Sequence, residues 1–282
     1  MKLGFNMLLW TPHVTAAHEK ILRDLKKTGY GGVEIPMFEG DPDHYARLGE
    51  MLDEIGLERT VVSILGPGKN CLSPDKAQQQ AAAAHAKWAI DCSAALGAAI
   101  IAGPMHSELG YFSGAPATTA ERKRGVSFHR KAGDYAARKN VRFAVEALNR
   151  FECYFLNTMG QLADYLDEVD HPAVQGMYDT FHANIEEKNP VAAIKSIKPH
   201  MIHVHISEND RGTPGKGHVP FAATYKALRA AKYDGWLTIE AFGRALPAVA
   251  AATRVWRDFF PSPEGVYRDG YKHMKQGWAK AK

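Results

Sequence analysis

Short apolar runs alternate with longer amphipathic stretches along the whole of this chain. The runs Lys2 to Met7, Gly32 to Phe38, Thr60 to Leu65, Ala98 to Ala102, Arg142 to Leu148, Val174 to Phe181, Met201 to Ser207 and Trp236 to Phe242 read as strands. The stretches between them read as crossover helices. Ile21, Leu22 and Leu25 share one face of the first, and Gly29 is placed to end it in a left-handed cap. The third is expected to begin with Ser73 as its cap and Pro74 in its first position, to run through an alanine-rich body, and to stop at Gly97. The seventh follows Pro220 and carries Phe221, Tyr225 and Leu228 on one stripe. The last is expected over 248–259, ahead of a Pro261–Pro263 turn and a polar tail that reads as a capping or interface segment.

Eight such repeats with no linker are what a closed parallel barrel of this length needs. A doubly wound open sheet would normally place a glycine-rich phosphate loop after its first strand, but here that strand runs into Leu8-Leu9-Trp10-Thr11-Pro12. The expected fold is therefore α/β, a single (β/α)8 barrel over residues 1–282, with 260–282 a carboxyl-terminal extension.

Composition narrows the function classes. With 45% hydrophobic and 23% charged residues the chain has material for a large core. Its net charge of +4 comes from 35 basic and 31 acidic residues, scattered except for Lys272, Lys275, Lys280 and Lys282. A nucleic-acid surface would need clustering on one face, so no nucleic-acid partner is expected. Cys71, Cys92 and Cys153 form no CxxC pair and read as reduced packing residues. The apolar run Leu3 to Trp10 is too short to span a membrane and has no cleavage pattern behind it, which makes the cytoplasm the expected location and a membrane partner unexpected.

In a parallel barrel the polar site lies at the carboxyl ends of the strands. Four consecutive strands end there with ionisable residues: Val145-Glu146-Ala147, Tyr178-Asp179-Thr180, His203-Val204-His205 and Ile239-Glu240-Ala241. Period-two alternation sends Val145, Tyr178, Val204 and Ile239 toward the helices and Glu146, Asp179, His205 and Glu240 toward the axis. Three carboxylates and an imidazole converging there would repel one another unless a cation neutralised them. Oxygen-rich ligation with one nitrogen suits a single divalent ion, Mn²⁺ first and Co²⁺ or Mg²⁺ next, better than a structural zinc. Taken singly, each residue has an ordinary alternative, and His203 reads as a packing residue or one that orients a ligand. The shared register across four successive strands is what lifts the set.

The stretches 146–152 (Glu-Ala-Leu-Asn-Arg-Phe-Glu) and 179–187 (Asp-Thr-Phe-His-Ala-Asn-Ile-Glu-Glu), then His203-Val204-His205 with Glu208, Arg211, Pro214-Gly215, Gly217 and Pro220, and finally Tyr233-Asp234-Gly235 ahead of Glu240 and Phe242, resemble the ketose 3-epimerases. These are the D-tagatose and D-psicose type within the xylose isomerase-like TIM barrel superfamily. The resemblance implies metal ligation by Glu146, Asp179, His205 and Glu240, proton transfer by Glu146 and Glu240, and substrate contacts from Glu152, His182 and Arg211. It also implies epimerisation of a free ketose at C3 through a cis-enediolate and assembly as a homodimer or homotetramer. The match is poorer around Gly103-Pro104-Met105-His106-Ser107, where Trp10 and Phe242 are expected to supply part of an apolar wall.

Other activities share this constellation. A hydroxypyruvate isomerase or inosose dehydratase would use the same residues. An endonuclease IV-like nuclease would require further histidines where the third strand ends in Leu65-Gly66-Pro67, and a non-catalytic sugar-binding barrel would be expected to lack one or both glutamates.

Overall fold

The computed structural model describes residues 1–281. Eight parallel strands close into a barrel in chain order: β1 (Lys2–Asn6), β2 (Gly32–Pro36), β3 (Glu58–Val62), β4 (Ile100–Gly103), β5 (Arg142–Val145), β6 (Val174–Asp179), β7 (Met201–Ile206) and β8 (Trp236–Ile239). The barrel closes through β1 and β8, from Lys2 opposite Trp236 to Phe5 opposite Ile239. All eight expected strands are present, most of them ending a few residues sooner. β5 stops at Val145 because the Leu148 amide bonds within its own loop, to the Leu156 carbonyl at 3.1 Å.

Ten α-helices accompany the strands among the described residues: α1 (Glu19–Thr28), α2 (Pro42–Ile55), α3 (Lys76–Leu96), α4 (Thr119–Arg138), α5 (Met159–Val169), α6 (Thr180–Glu186), α7 (Pro190–Ile197), α8 (Phe221–Ala230), α9 (Pro247–Thr253) and α10 (Pro263–Lys280). Their starts follow local chemistry. Thr118 and Glu121 form a capping box on α4, Thr158 and Gln161 do so on α5, and Asp41 and Asn189 cap helices that begin with proline. Gly29 ends α1 in the left-handed region, φ 117°, as its position in the sequence indicated.

Alternate residues of each strand face outward and bury against the helices. Phe5, Ile35, Val61, Ile101, Val145, Tyr178, Val204 and Ile239 join Leu22, Leu52, Ile90, Tyr165, Ile194 and Leu228 in one continuous core. Each fully buried aliphatic or aromatic side chain contributes roughly 1.5–3 kcal/mol relative to its exposed form. Inside the barrel, Ile100, Ala102, Ala144, Met177 and Trp236 fill the floor. Gly32 makes room for that plug: a Cβ there would lie 2.5 Å from the Trp236 ring and 2.4 Å from the Glu58 carbonyl oxygen. The inward positions above the floor are polar, and they carry the site.

Two helices differ from expectation. α3 starts at Lys76, capped by Asp75, whose carboxylate accepts from the Ala77 amide at 2.8 Å, while Ser73 Oγ accepts from the Asp75 amide instead. The helix expected over 248–259 is only the short α9, stopped by Arg254 at φ 60°. Residues 263–280 form α10, which packs against α8, α1, β8 and β1 and buries Val266, Tyr267, Gly270 and Met274. Among the described residues no helix is long and apolar enough to cross a membrane, and the three cysteines are buried and unpaired.

Candidate metal centre and active site

Glu146 is the first residue beyond β5, Asp179 ends β6, His205 lies near the end of β7, and Glu240 is the first residue beyond β8. None is more than 5% exposed. Their side chains meet around His205 Nδ1, which lies 3.5 Å from Asp179 Oδ2, 3.6 Å from Glu240 Oε1 and 4.0 Å from Glu146 Oε1. Asp179 reaches this point through a helix cap. Its Oδ1 accepts from the Phe181 amide at 2.6 Å, which leaves Oδ2 for the centre.

Glu146 Oε1, Asp179 Oδ2 and His205 Nδ1 are buried without any hydrogen-bond partner. Three buried polar atoms aimed at one another without a hydrogen bond would be costly in a dry interior. Asp179, His205 and Glu240 carry ligand atoms close enough to share one ion, as do Glu146, Asp179 and His182. Protonation reports the same crowding. Burial, followed by the charges of Asp179 and Glu240, pushes the Glu146 carboxyl well above its ordinary range. Burial also raises Glu240, although His205 and Arg211 pull it back. Asp179 goes the other way: burial would raise it, but the neighbouring His205 and the charge of Arg211 hold it low. A divalent cation relieves this conflict, since it takes the place of the protons that such a cluster otherwise retains. The donor set fits one.

The three expected substrate contacts stand beside the centre. Arg211 Nη1 donates to Glu240 Oε2 at 2.8 Å and to Ser207 Oγ at 3.0 Å, while Nη2 lies 3.0 Å from His182 Nε2. His182 accepts from the Asn149 amide through Nδ1 at 3.0 Å, and burial together with Arg211 pushes its imidazole down to about 4, so it is neutral at pH 7. Glu152 is half-buried and takes a hydrogen bond from Asn149 Nδ2 at 2.7 Å.

A cavity of about 280 Å³ opens over these groups, with Glu146, Glu152, His182, Arg211 and Glu240 on one side. Leu8, Phe38, Val62, Leu109, Phe242 and Val249 face them. Phe242 is thus part of the apolar wall, as expected. Trp10 is not: its ring packs 5.1 Å from Phe5 and 6.1 Å from Tyr267, toward α10. A larger cleft, about 530 Å³, lies outside the barrel between α3 and α4, but no carboxylate or imidazole lines it.

Sequence reading missed three buried polar residues behind the centre. Glu34 on β2 is fully buried, with Oε1 2.7 Å from His205 Nε2 and Oε2 2.9 Å from His203 Nε2. Asn6 Nδ2 and Thr60 Oγ1 each donate to it at 3.0 Å. A single glutamate inside the apolar run Gly-Val-Glu-Ile-Pro was the one available signal, and inward register on β2 would have placed it.

The profile of the xylose isomerase-like TIM barrel family matches residues 22–277. The chain is 32% identical over 276 residues to a probable ketose 3-epimerase of Synechocystis sp., an alignment covering 98% of this chain and 96% of that protein. The chain belongs to the ketose 3-epimerases of the xylose isomerase-like TIM barrel family. It is accordingly an enzyme of the isomerase class, a carbohydrate epimerase. A D-psicose 3-epimerase of Enterocloster bolteae is 30% identical over 278 residues, covering 95% of this chain and 92% of that one. The crystal structure of a D-allulose 3-epimerase from Methylomonas sp. in complex with D-allulose superposes with a TM-score of 0.91 at 28% identity, covering 98% and 96% of the two chains.

Proposed function

We propose that this chain epimerises a free ketohexose or ketopentose at C3, with Glu146, Asp179, His205 and Glu240 holding one divalent cation, Mn²⁺ first among the candidates. The observation that carries the reading is the set of buried polar atoms without hydrogen-bond partners, Glu146 Oε1, Asp179 Oδ2 and His205 Nδ1, at the mouth of an epimerase-type barrel. When bound, the cation supplies positive charge beside the C2 and C3 oxygens, where negative charge builds as the C3 proton leaves.

The chain's own groups do the rest. A C–H next to a ketone is a weak acid, so its removal at neutral pH needs a base aimed at it. Glu146 and Glu240 leave the barrel from β5 and β8 and flank the centre from different sides. One takes the proton from C3, and the other returns a proton to the opposite face of the planar enediolate, which inverts that carbon. Arg211, already bonded to Glu240 and facing His182, presents a permanently charged fork to sugar oxygens, while neutral His182 and half-buried Glu152 exchange hydrogen bonds with hydroxyls. The apolar wall of Leu8, Phe38 and Phe242 keeps water from the reacting face. The same reading treats residues 1–282 as one catalytic barrel with 260–282 as its extension, acting in the cytoplasm as a homodimer or homotetramer.

The test is incubation of Mn²⁺-loaded protein with D-fructose, D-tagatose, D-psicose and L-ribulose in D₂O. Deuterium is expected at C3 with appearance of the epimer, and neither in Glu240→Gln. Absence of exchange on every ketose would overturn the proposal and direct attention to isomerase or dehydratase substrates.

A further inference from the structure

Glu34 faces no cavity and touches neither the apolar wall nor the groups that meet substrate. It is nevertheless an acid buried completely inside the barrel, 171 residues away in sequence from its nearest imidazole. Each of its oxygens has two polar neighbours. Oε1 lies 2.7 Å from His205 Nε2 and 3.0 Å from Asn6 Nδ2, and Oε2 lies 3.0 Å from Thr60 Oγ1 and 2.9 Å from His203 Nε2. Asn6 Nδ2 also reaches Glu240 Oε1, at 3.3 Å. An ionised carboxylate in such a place costs several kcal/mol in desolvation, and well-packed apolar residues would fill the barrel at least as stably.

The geometry of His205 accounts for its presence. An imidazole has two nitrogens, and what one of them bonds decides what the other offers. With Nε2 held as a donor to Glu34, the neutral ring presents its Nδ1 lone pair toward Asp179 Oδ2 and Glu240 Oε1. A carboxylate behind a ligating histidine fixes the ring's tautomer and angle and makes it a better ligand. We infer that Glu34 is a positioning residue of the metal centre, fixing His205 in the Nε2–H tautomer and, through Asn6, setting the rotamer of Glu240. The inference rests on the metal reading proposed above.

Glu34, His203 and His205 are themselves close enough to hold an ion. The occupancy of Glu34 argues against a second ion there, because Asn6 and Thr60 already fill one direction on each oxygen. His205 Nε2 also cannot donate to Glu34 and ligate a cation at once.

The experiment titrates metal-free wild type and Glu34→Gln with Mn²⁺, reading free Mn²⁺ by electron paramagnetic resonance. The variant keeps the shape and an acceptor oxygen but loses the charge. Its affinity is expected to fall by about 10–100-fold, and saturating Mn²⁺ is expected to bring kcat back to within about threefold of wild type, as a positioning defect allows. In parallel, long-range ¹H–¹⁵N correlation on the diamagnetic Mg²⁺ form of wild type reads the His205 tautomer and the shift of its Nε2 proton, and so tests the hydrogen bond to Glu34 even if Glu34→Gln does not fold. Protonation at Nε2 is expected. Unchanged affinity in a folded variant, or an Nε2 proton without the downfield shift of a carboxylate hydrogen bond, overturns the inference while the metal reading stands; a proton on Nδ1 overturns the inference and removes His205 from the ligand set. Failure of the wild type to bind any Mn²⁺ overturns both.

Discussion

The guanidinium carbon of Arg211 lies 3.6 Å from the centre of the Phe181 ring, which clamps a left-handed loop residue, φ 62°, over the end of β6. Phe242 holds the other side at 5.0 Å, and its amide donates to the Arg211 carbonyl at 2.9 Å. Non-glycine residues in this backbone region carry strain of roughly 1–3 kcal/mol, kept where the surroundings over-determine it. Arg211 can bond Glu240 and face His182 together only because its donors form a fork. Arg211→Lys is therefore expected to keep the fold and to lower kcat/KM about 10–100-fold, since an ammonium on a flexible stem cannot do both. Steady-state kinetics with circular dichroism as the fold control checks this, and wild-type kinetics in the variant would dismiss the fork.

Chelation gives a second prediction, through stability. The cluster around His205 Nδ1 leaves buried acceptors without partners, so a ligand that binds only the folded state stabilises it by mass action. At a free Mn²⁺ concentration 100 times its dissociation constant the gain is about 2.7 kcal/mol, or roughly 5–10 °C in Tm for a chain of this size. Scanning calorimetry with excess chelator and then with restored Mn²⁺ should show that shift, and Asp179→Asn should abolish it. Superimposable melts with and without metal would contradict the proposed ligand set.

The strands and the four converging residues were legible because each is encoded locally. Parallel strands covered on both faces are continuous apolar runs, and period-two alternation then fixes which residue points inward. What escaped depends on competition or distance. Ser73 and Asp75 both offer capping chemistry around Pro74, and only the folded turn shows that Asp75 takes the role. Arg254 ends α9 without the glycine that would announce a left-handed stop. α10 reads as polar because Lys272, Lys275 and Lys280 interrupt it, yet Gly270 and Gly277 are where Ile239 and Tyr225 press against it. Glu34 shows no partner within 25 residues: Thr60 is 26 away and Asn6 28.

Glu208 underlies the third prediction. It is fully buried, its Oε1 accepting from the Asn209 and Val219 amides at 3.1 and 3.0 Å and its Oε2 from Gly215 at 2.8 Å. These bonds close the loop 208–219, and the Arg211 amide donates to the Glu208 carbonyl at 2.9 Å within it. Glu208→Gln would set an NH₂ group against a backbone donor, at a cost of about 1–3 kcal/mol. KM is expected to rise several-fold through the loosened Arg211, with kcat within threefold and faster hydrogen exchange at Gly215 and Val219. Unaltered exchange at those amides would show that the loop is held by other contacts.

His129 supplies a prediction about pH. It is wholly buried on α4, with Nδ1 2.6 Å from the Tyr165 hydroxyl and its ring packed edge-on against Phe143 and Phe128. Burial, aided by the nearby His106, pushes its imidazole down to about 3. The unfolded chain takes up this proton near pH 6.5 and the folded protein does not, so below 6.5 the unfolded state binds more protons. The stability linked to this site is complete above pH 6.5, declines as pH falls, and is fully lost only below about 3. At pH 5 the loss amounts to about 2 kcal/mol. His129→Gln retains a polar atom toward Tyr165 and does not titrate. It should be less stable than wild type at pH 7.5, because a well-packed ring is gone, yet lose about 2 kcal/mol less between pH 7.5 and pH 5.0. Urea unfolding of both proteins at the two pH values measures the difference. Equal losses would mean that His129 is not excluded from protonation in the folded state, and the acid sensitivity of the barrel would then arise at other buried groups, among them His85, His106 and His182.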